Sequence, residues 1–334
     1  MKKFFLAIAC LLAASVFASA QVDYAAFEAR GAFVVNQGKP GVSADFLNIQ
    51  VKGHIGPSLR FRFRHRLTKP IYDAKNPLNG TDILSLTWDI SPKWSISGGK
   101  LPIFIGGYEW DAAPIDVYYY SGFCNGIQQV YGLGGSAFFR PKEGQELELQ
   151  VTHSPLHGGN LTRFNVGLCW SGRFFPWWET KWSINWIDDY YHHMMGYVAL
   201  GNRFQMGSVV SLELDLMYRR ALTQKKAQYD GTTIAKMDFR INDKWRLFVK
   251  GSYDENDQNV DDEGIPYDMT LPAGSYYWTV GGGMEFFPLG NSDLRIHAVA
   301  WTESASKKVS ASVGLTYYFD FVKIINKYHK RKAS

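Results

Sequence analysis

Between Leu59 and Thr68 the chain reads Leu-Arg-Phe-Arg-Phe-Arg-His-Arg-Leu-Thr, with Arg60, Arg62, Arg64 and Arg66 at every second position. In an extended strand that period of two puts the four guanidinium groups on one face and Phe61, Phe63, His65 and Leu67 on the other. A soluble sheet must leave such an arginine ladder in water and cover the aromatic face with a core. A membrane barrel instead turns the aromatic face to hydrocarbon and the arginines into a wet lumen. The rest of the chain decides between the two.

The N-terminus favours the barrel. Lys2 and Lys3 precede an apolar run over 4–17, and Ala18-Ser19-Ala20 supplies a signal peptidase pattern, so residues 1–20 are expected to be a cleaved export signal and Gln21 the first mature residue. Residues 7–9 ahead of Cys10 make a poor lipoprotein processing site. Past residue 20 no run of about 18 apolar residues exists, so any membrane crossing must be made by strands. Aromatic residues make up 16% of the chain while hydrophobic residues reach only 46%, as expected where each strand is apolar on one side and rings gather at both membrane interfaces. No composition shift marks a second domain, so 21–321 read as one barrel followed by a basic tail, 322–334, carrying Lys323, Lys327, Lys330, Arg331 and Lys332. The formal charge of +5 falls by two when Lys2 and Lys3 are removed, too little to argue for nucleic acid. Cys124 and Cys169 alone survive processing, which is no disulfide framework.

Alternating segments follow one another along the mature chain. The first, 24–35, ends in Asn-Gln-Gly-Lys-Pro-Gly at 36–41, which reads as a loop. In the second, 43–55, Leu47, Ile49 and Val51 oppose Asn48, Gln50 and Lys52. Gly56-Pro57 then turns the chain into the arginine strand, and matching outward faces across so tight a turn places the arginines beside Lys52, Gln50 and Asn48. In the fourth segment, 82–91, Leu84, Leu86, Trp88 and Ile90 face outward while Asp89, facing inward, is the carboxylate expected to reach the lower arginines. The fifth runs over 94–101. Alternation then resumes at 127–139 and continues through 145–153, 161–170, 181–187, 190–204 and 208–220, a strand around 236–241, another from 245, and 275–287, 293–301 and 309–319. The count is about sixteen strands, polar inside and apolar outside. Turns after even strands are short, whereas 69–80, 102–125, 222–231 and 254–273, after odd strands, are longer. The expected fold is therefore all-β, a transmembrane antiparallel barrel with a long third loop at 102–125. That loop holds Gly106-Gly107, Glu109, Asp111, Asp116 and the cluster Tyr118-Tyr119-Tyr120.

The run 27–33 (Phe-Glu-Ala-Arg-Gly-Ala-Phe), Lys52-Gly53-His54-Ile55, the arginine-rich third strand and Gly98-Gly99-Lys100-Leu101-Pro102 resemble the phosphate-selective porin O and P family. The resemblance implies a sixteen-stranded outer-membrane barrel of Gram-negative type, often a homotrimer, whose third loop folds inward and whose lumen arginines guide anions. Carried onto this chain, the ladder is Arg60, Arg62, Arg64 and Arg66 beside Lys52, and the constriction comes from the third loop with Lys100, Glu109, Asp111, Asp116, Tyr118, Tyr119 and Tyr120. The tail beyond Phe319 and Phe321 departs from strands that finish at a terminal aromatic.

Guanidinium forks spaced roughly 7 Å apart suit the oxygens of phosphate or carboxylate and form successive weak sites for an anion. Three roles stay open for the ladder: guiding anions, facing Glu109, Asp111 and Asp116 across an unselective eyelet, or pairing with acids to stiffen the wall. The third loop itself carries no lysine or arginine. The function expected is passive diffusion of small hydrophilic solutes with an anion preference, phosphate included. A binding or adhesion barrel with a plugged lumen is the alternative of another class. No enzyme, cofactor or metal is expected. Adjacent His192 and His193 point to opposite faces, as do His153 and Ser154, and neither pair makes a site. Gly132 to Gly135 precede no helix, Gly281 to Gly283 fit a bend, Asp254, Glu255, Asp257, Asp261, Asp262 and Glu263 read as a solvated acidic loop, and Trp170, Trp177, Trp178, Trp182 and Trp186 read as an interfacial girdle.

Overall fold

The computed structural model describes residues 20–69, 78–127, 130–156, 162–191, 193–224, 230–257, 260–267 and 270–326. Five strands come first: β1 (Ala20–Asn36), β2 (Lys39–Ile55), β3 (Leu59–Arg66), β4 (Thr81–Asp89) and β5 (Trp94–Pro102). Loop 103–130 follows, with two short helices, α1 (Tyr108–Asp111) and α2 (Gly122–Gly126), and a 3-10 turn at Pro114–Asp116 between them. The wall continues with β6 (Tyr131–Phe139), β7 (Gln145–His153), β8 (Phe164–Phe175), β9 (Trp178–Asp188), β10 (Met194–Met206) and β11 (Val210–Ala221). It finishes with β12 (Asp230–Arg240), β13 (Trp245–Asn256), β14 (Ser275–Phe286), β15 (Leu294–Glu303) and β16 (Val309–Asp320). A short helical segment at 321–326 leaves the last strand.

Every strand pairs antiparallel with its chain neighbours, and β1 pairs with β16, so the sixteen strands close into a barrel without a free edge. The β2–β3 register sets Asn48 opposite Arg66, Gln50 opposite Arg64 and Lys52 opposite Arg62, the match expected from the tight turn. Outward positions are apolar and bare: on β4 Leu84, Leu86 and Trp88 stand about half exposed. A water-facing wall does not carry a continuous belt of that kind, whereas a hydrocarbon-facing one must. At the end of the short turns Phe174 lies against Trp170, Trp178 and Trp182, and both Trp178 and Trp182 donate their indole N–H to Asn202 Oδ1. Indole rings that hide a polar amide on the outer wall fit a girdle at an interface.

Several strand ends shift by a few residues from the sequence expectation, and three differences bear on the interior. Residues 36–41 form no loop, because Gln37 and Gly38 alone make the turn, with φ of 52° and 84°, and Lys39 to Gly41 already belong to β2. Two positive φ values match the twist of a tight hairpin, so turn residues that punctuate a loop elsewhere here sit inside paired strands. The sixth strand starts at Tyr131 rather than 127, since Ile127 is buried with the loop's own apolar residues. Asp254 belongs to β13 and is fully buried rather than solvated. Among the described residues Cys124 and Cys169 are both free. Residues 1–19 of the export signal expected over 1–20, His192 and the tail beyond 326 lie outside the described residues.

Candidate functional site

The connection between β5 and β6 turns into the barrel and crosses its whole width. Leaving β5, it lies along β8 to β11: Phe104 O accepts from Asn185 Nδ2 (2.8 Å), and Ile105 O accepts from the Ser183 hydroxyl. Gly106 and Gly107 then swing the chain with φ of 86° and 84°. A side chain at Gly107 would stand 2.8 Å from Met217 Cε and 3.1 Å from the Asp215 carboxyl carbon, so only glycine fits there. This close approach lets Asp215 receive the backbone N–H groups of Tyr108 and Glu109 at 2.8–2.9 Å. The loop next reaches the opposite wall, where Arg30 donates to Ile115 O (2.9 Å) and Val117 O (2.8 Å), and Arg295 bonds Asp116 (2.8 Å). It returns past β13, where Asp254 receives the N–H groups of Gly122 and Phe123, both at 2.9 Å. Carboxylates that hold backbone donors and guanidinium groups that hold backbone carbonyls fix the course of the loop, in addition to what its own side chains contribute.

Each acid of this loop is taken up by a wall cation far from β3. Lys181 pairs with Asp111, Lys250 with Glu109 (2.5 Å), and Arg295 with Asp116, which also accepts from Tyr318 (3.0 Å). Burial pushes the Glu109 carboxyl up, but the Lys250 ammonium and the hydrogen bonds from Ser121 and Cys124 pull it further down, below the usual carboxylate range. The eyelet in which Glu109, Asp111 and Asp116 face the ladder is therefore not formed. The tyrosines divide: Tyr118 stacks on Phe248 (5.8 Å between centroids) and donates to Glu285 (2.7 Å), and Tyr119 stacks on Trp301 (5.5 Å). Gly281 and Gly283 pair beside Trp301 and Phe248 and present no inward side chain, so they leave room for these rings. Tyr120 lies within electrostatic reach of Arg66 and Arg30, on the ladder side, and burial raises its phenol together with those of Tyr118 and Tyr119.

The ladder itself is uneven. Arg60 makes a two-bond fork on Asp89 (2.7 and 2.8 Å), the expected partner. Arg66 makes a similar fork on Asp82 (2.8 Å), and Arg64 donates to Tyr131 (3.1 Å) with Glu28 and Asp82 at 3.9 and 3.7 Å. Arg62 bonds only the amide of Gln50 (3.3 Å), and Lys52 rests over the Tyr24 ring at 5.1 Å. Among the described residues neither Lys52 nor Arg62 has a carboxylate within ion-pair distance. Both line a cleft of about 720 Å³ together with Tyr24, the hydroxyls of Ser85, Thr87 and Ser97, the pair Asp23–His54 (2.9 Å), and Arg60, which is held by Asp89. Lys100 does not join them, since its register partners Leu84 and Leu133 are exposed on the outer wall and its ammonium bonds Leu78 O (3.0 Å). Alternation along β5 turns its neighbour Leu101 inward instead.

A second space of about 1110 Å³ opens under the loop at the end of the short turns. Its charges come in pairs: Arg203 with Glu213 (2.6 Å), Lys236 with Asp238 (2.9 Å), Arg246 with Glu285, and Lys323 of the terminal segment with Asp293. Toward the long-loop end the interior holds an apolar cluster, with Ile103, Ile105, Phe123 and Ile127 of this connection packed on Ile187, Met195, Tyr197 and Met217 of the wall, beside Leu156 and Tyr267 from two other loops. Sequence reasoning missed Glu28, Arg30, Asp82, Lys181, Asp215, Lys250, Asp254 and Arg295. The signal that was available is the set of apolar residues at inward positions of β9 to β11, which break the polar-inside rule where the loop docks.

No family model and no curated protein matches this sequence. Solved structures do match in fold. The outer membrane channel DcaP of Acinetobacter baumannii covers 90% of this chain and 98% of its own at a TM-score of 0.62 and 10% identity. An anion-selective porin from Comamonas acidovorans covers 90% and 100% at 0.62 and 9% identity. The trimer form of in-vitro folded OmpT, an outer membrane protein of Vibrio cholerae, covers 90% and 100% at 0.61 and 10% identity. The fold is that of outer-membrane porins.

Proposed function

We propose that the protein is a passive diffusion channel of a Gram-negative outer membrane that prefers small anions, inorganic phosphate and polyphosphate among them. One observation supports the reading above the others: in the cleft beside β3, Lys52 and Arg62 have no carboxylate within ion-pair distance among the described residues, Asp23 of the same cleft being paired with His54 (2.9 Å), while every acid of the infolded loop is occupied elsewhere. A permanent guanidinium fork next to an ammonium and three hydroxyls is a weak, repeatable seat for an oxyanion, which is what conduction with preference needs. The resemblance to the phosphate-selective porin O and P family points the same way, and so does the barrel shared with an anion-selective porin. With the N-terminus in the periplasm, the short turns are periplasmic and the long loops extracellular. Trimeric assembly, recorded for OmpT, belongs to the same proposal.

A plugged barrel that binds through its outer loops is the second reading, and the apolar cluster inside the long-loop end favours it. Reversal potentials of the purified protein in a planar bilayer under a potassium chloride gradient separate the two. The channel reading expects anion selectivity that moves toward parity when Lys52 and Arg62 are changed to Gln together. A folded protein without conductance leaves the plugged barrel.

A further inference from the structure

Along β3 the arginines pass from wet to dry and back to wet. Arg60 and Arg66 are exposed, Arg62 is half-buried, and Arg64 is 4% exposed. Around Arg64 lie Glu28, Asn48, Gln50, Asp82 and Tyr131, none more than 6% exposed. The ladder thus enters water at both ends and is sealed at one rung, between the cleft that holds Arg62 and the open face of Arg66.

The seal is made of groups that are poorly matched. Glu28 is held by Gln50 Nε2 (3.0 Å) and Tyr24 (3.5 Å), and Asp82 is spent on its fork with Arg66. Both carboxylates therefore stand at ion-pair but not hydrogen-bond distance from Arg64 Nε, at 3.9 and 3.7 Å. Arg64 Nε, Arg62 Nε and Asn48 Nδ2 are all buried donors without an acceptor. Three unanswered donors on two paired strands, with two carboxylates held just short of the Arg64 one, describe a rung whose negative charge neutralises the arginine but does not satisfy it.

We infer that Glu28 and Asp82 act as resident counter-charges that close the ladder at Arg64, and that an oxyanion crosses this rung by taking their place against Arg64, Arg62 and Asn48. The two acids, and not the arginines alone, then determine how readily an anion passes. This inference rests on the channel reading. It places the barrier to anions on β1 and β4, on residues that no inspection of the arginine strand singles out.

The test compares the intact protein with Glu28→Gln in planar bilayers, using potassium chloride and then potassium phosphate, with the SDS-resistant barrel band as the check of folding. Gln keeps the length of the side chain and its contacts with Gln50 and Tyr24 while removing the charge. The expected result is an anion-to-cation permeability ratio at least about twofold higher than in the intact protein, with a larger single-channel conductance in phosphate. An intact protein that is silent beside a conducting Glu28→Gln also supports the inference. Equal ratios and conductances in the two proteins, or a fall in the variant, overturn it while leaving the channel reading in place. Silence of both overturns the inference together with that reading. Should Glu28→Gln not fold, Arg64→Gln takes its place, with a lower anion permeability expected and an unchanged one overturning the inference.

Discussion

Lys250 meets its partners where water does not reach: its ammonium bonds the Glu109 carboxylate at 2.5 Å and the Tyr119 carbonyl, and both charged residues are at most 7% exposed. Removing one charge strands the other, a loss of about 3–5 kcal/mol, whereas removing both costs much less. Urea unfolding of Lys250→Met, Glu109→Gln and the double variant in detergent is expected to show that pattern, with the double variant more stable than Lys250→Met. The sign of the pH dependence follows from the lowered Glu109 carboxyl. A depressed folded value means the stabilisation is full above the unfolded carboxylate value, about 4.3, and is lost only as pH falls through the lower folded one. The stability difference between the intact protein and Glu109→Gln should therefore hold steady down to about pH 5 and shrink below about pH 4. At this scale the sequence was legible where partners are local in register. Asp89 lies opposite Ser95 on β5 and pairs with Arg60 as read, while Glu28 reaches Arg64 across the intervening β2, beyond the neighbouring-strand match that the alternation reveals.

Strands were the most readable elements because period-two alternation is enforced on both faces, by hydrocarbon outside and by polar space inside. The third loop was readable as long and irregular but not in its course, since its anchors are backbone N–H and C=O groups that sequence does not label. Asp254 illustrates this: in an acidic run it resembles a solvated residue, yet it accepts from Gly122 and Phe123 and from Thr232 (2.7 Å). Asp254→Asn loses one acceptor oxygen and turns donors toward donors, at a cost of about 1–3 kcal/mol to the loop alone. Hydrogen exchange should then show faster exchange over 120–127 with the strand amides unchanged. Uniformly faster exchange would mean that the loop and the wall form one cooperative unit.

For the molecule as a whole, the question is which part of the interior field reaches a passing ion. The large space under the loop is lined mostly by cation–anion pairs, which cancel beyond a few ångströms, and the far end is filled by an apolar cluster. The cleft on the β2–β3 side keeps a positive sign, since Lys52 and Arg62 have no ion-pair partner among the described residues while its Asp23 and Arg60 are paired with His54 and Asp89, and this filling of the lumen could not be read ahead because it depends on three loops meeting inside the barrel. A field set by two accessible charges is screened by salt, with a Debye length of about 30 Å at 0.01 M and about 3 Å at 1 M. Anion selectivity should accordingly be strongest in dilute salt and fade toward parity in concentrated salt, and Lys52→Glu with Arg62→Glu should reverse its sign in dilute salt. Selectivity that is unchanged across that range would instead place the choice at a dehydrated contact such as the Arg64 rung, where buried charges are screened far less and an anion is chosen by fit.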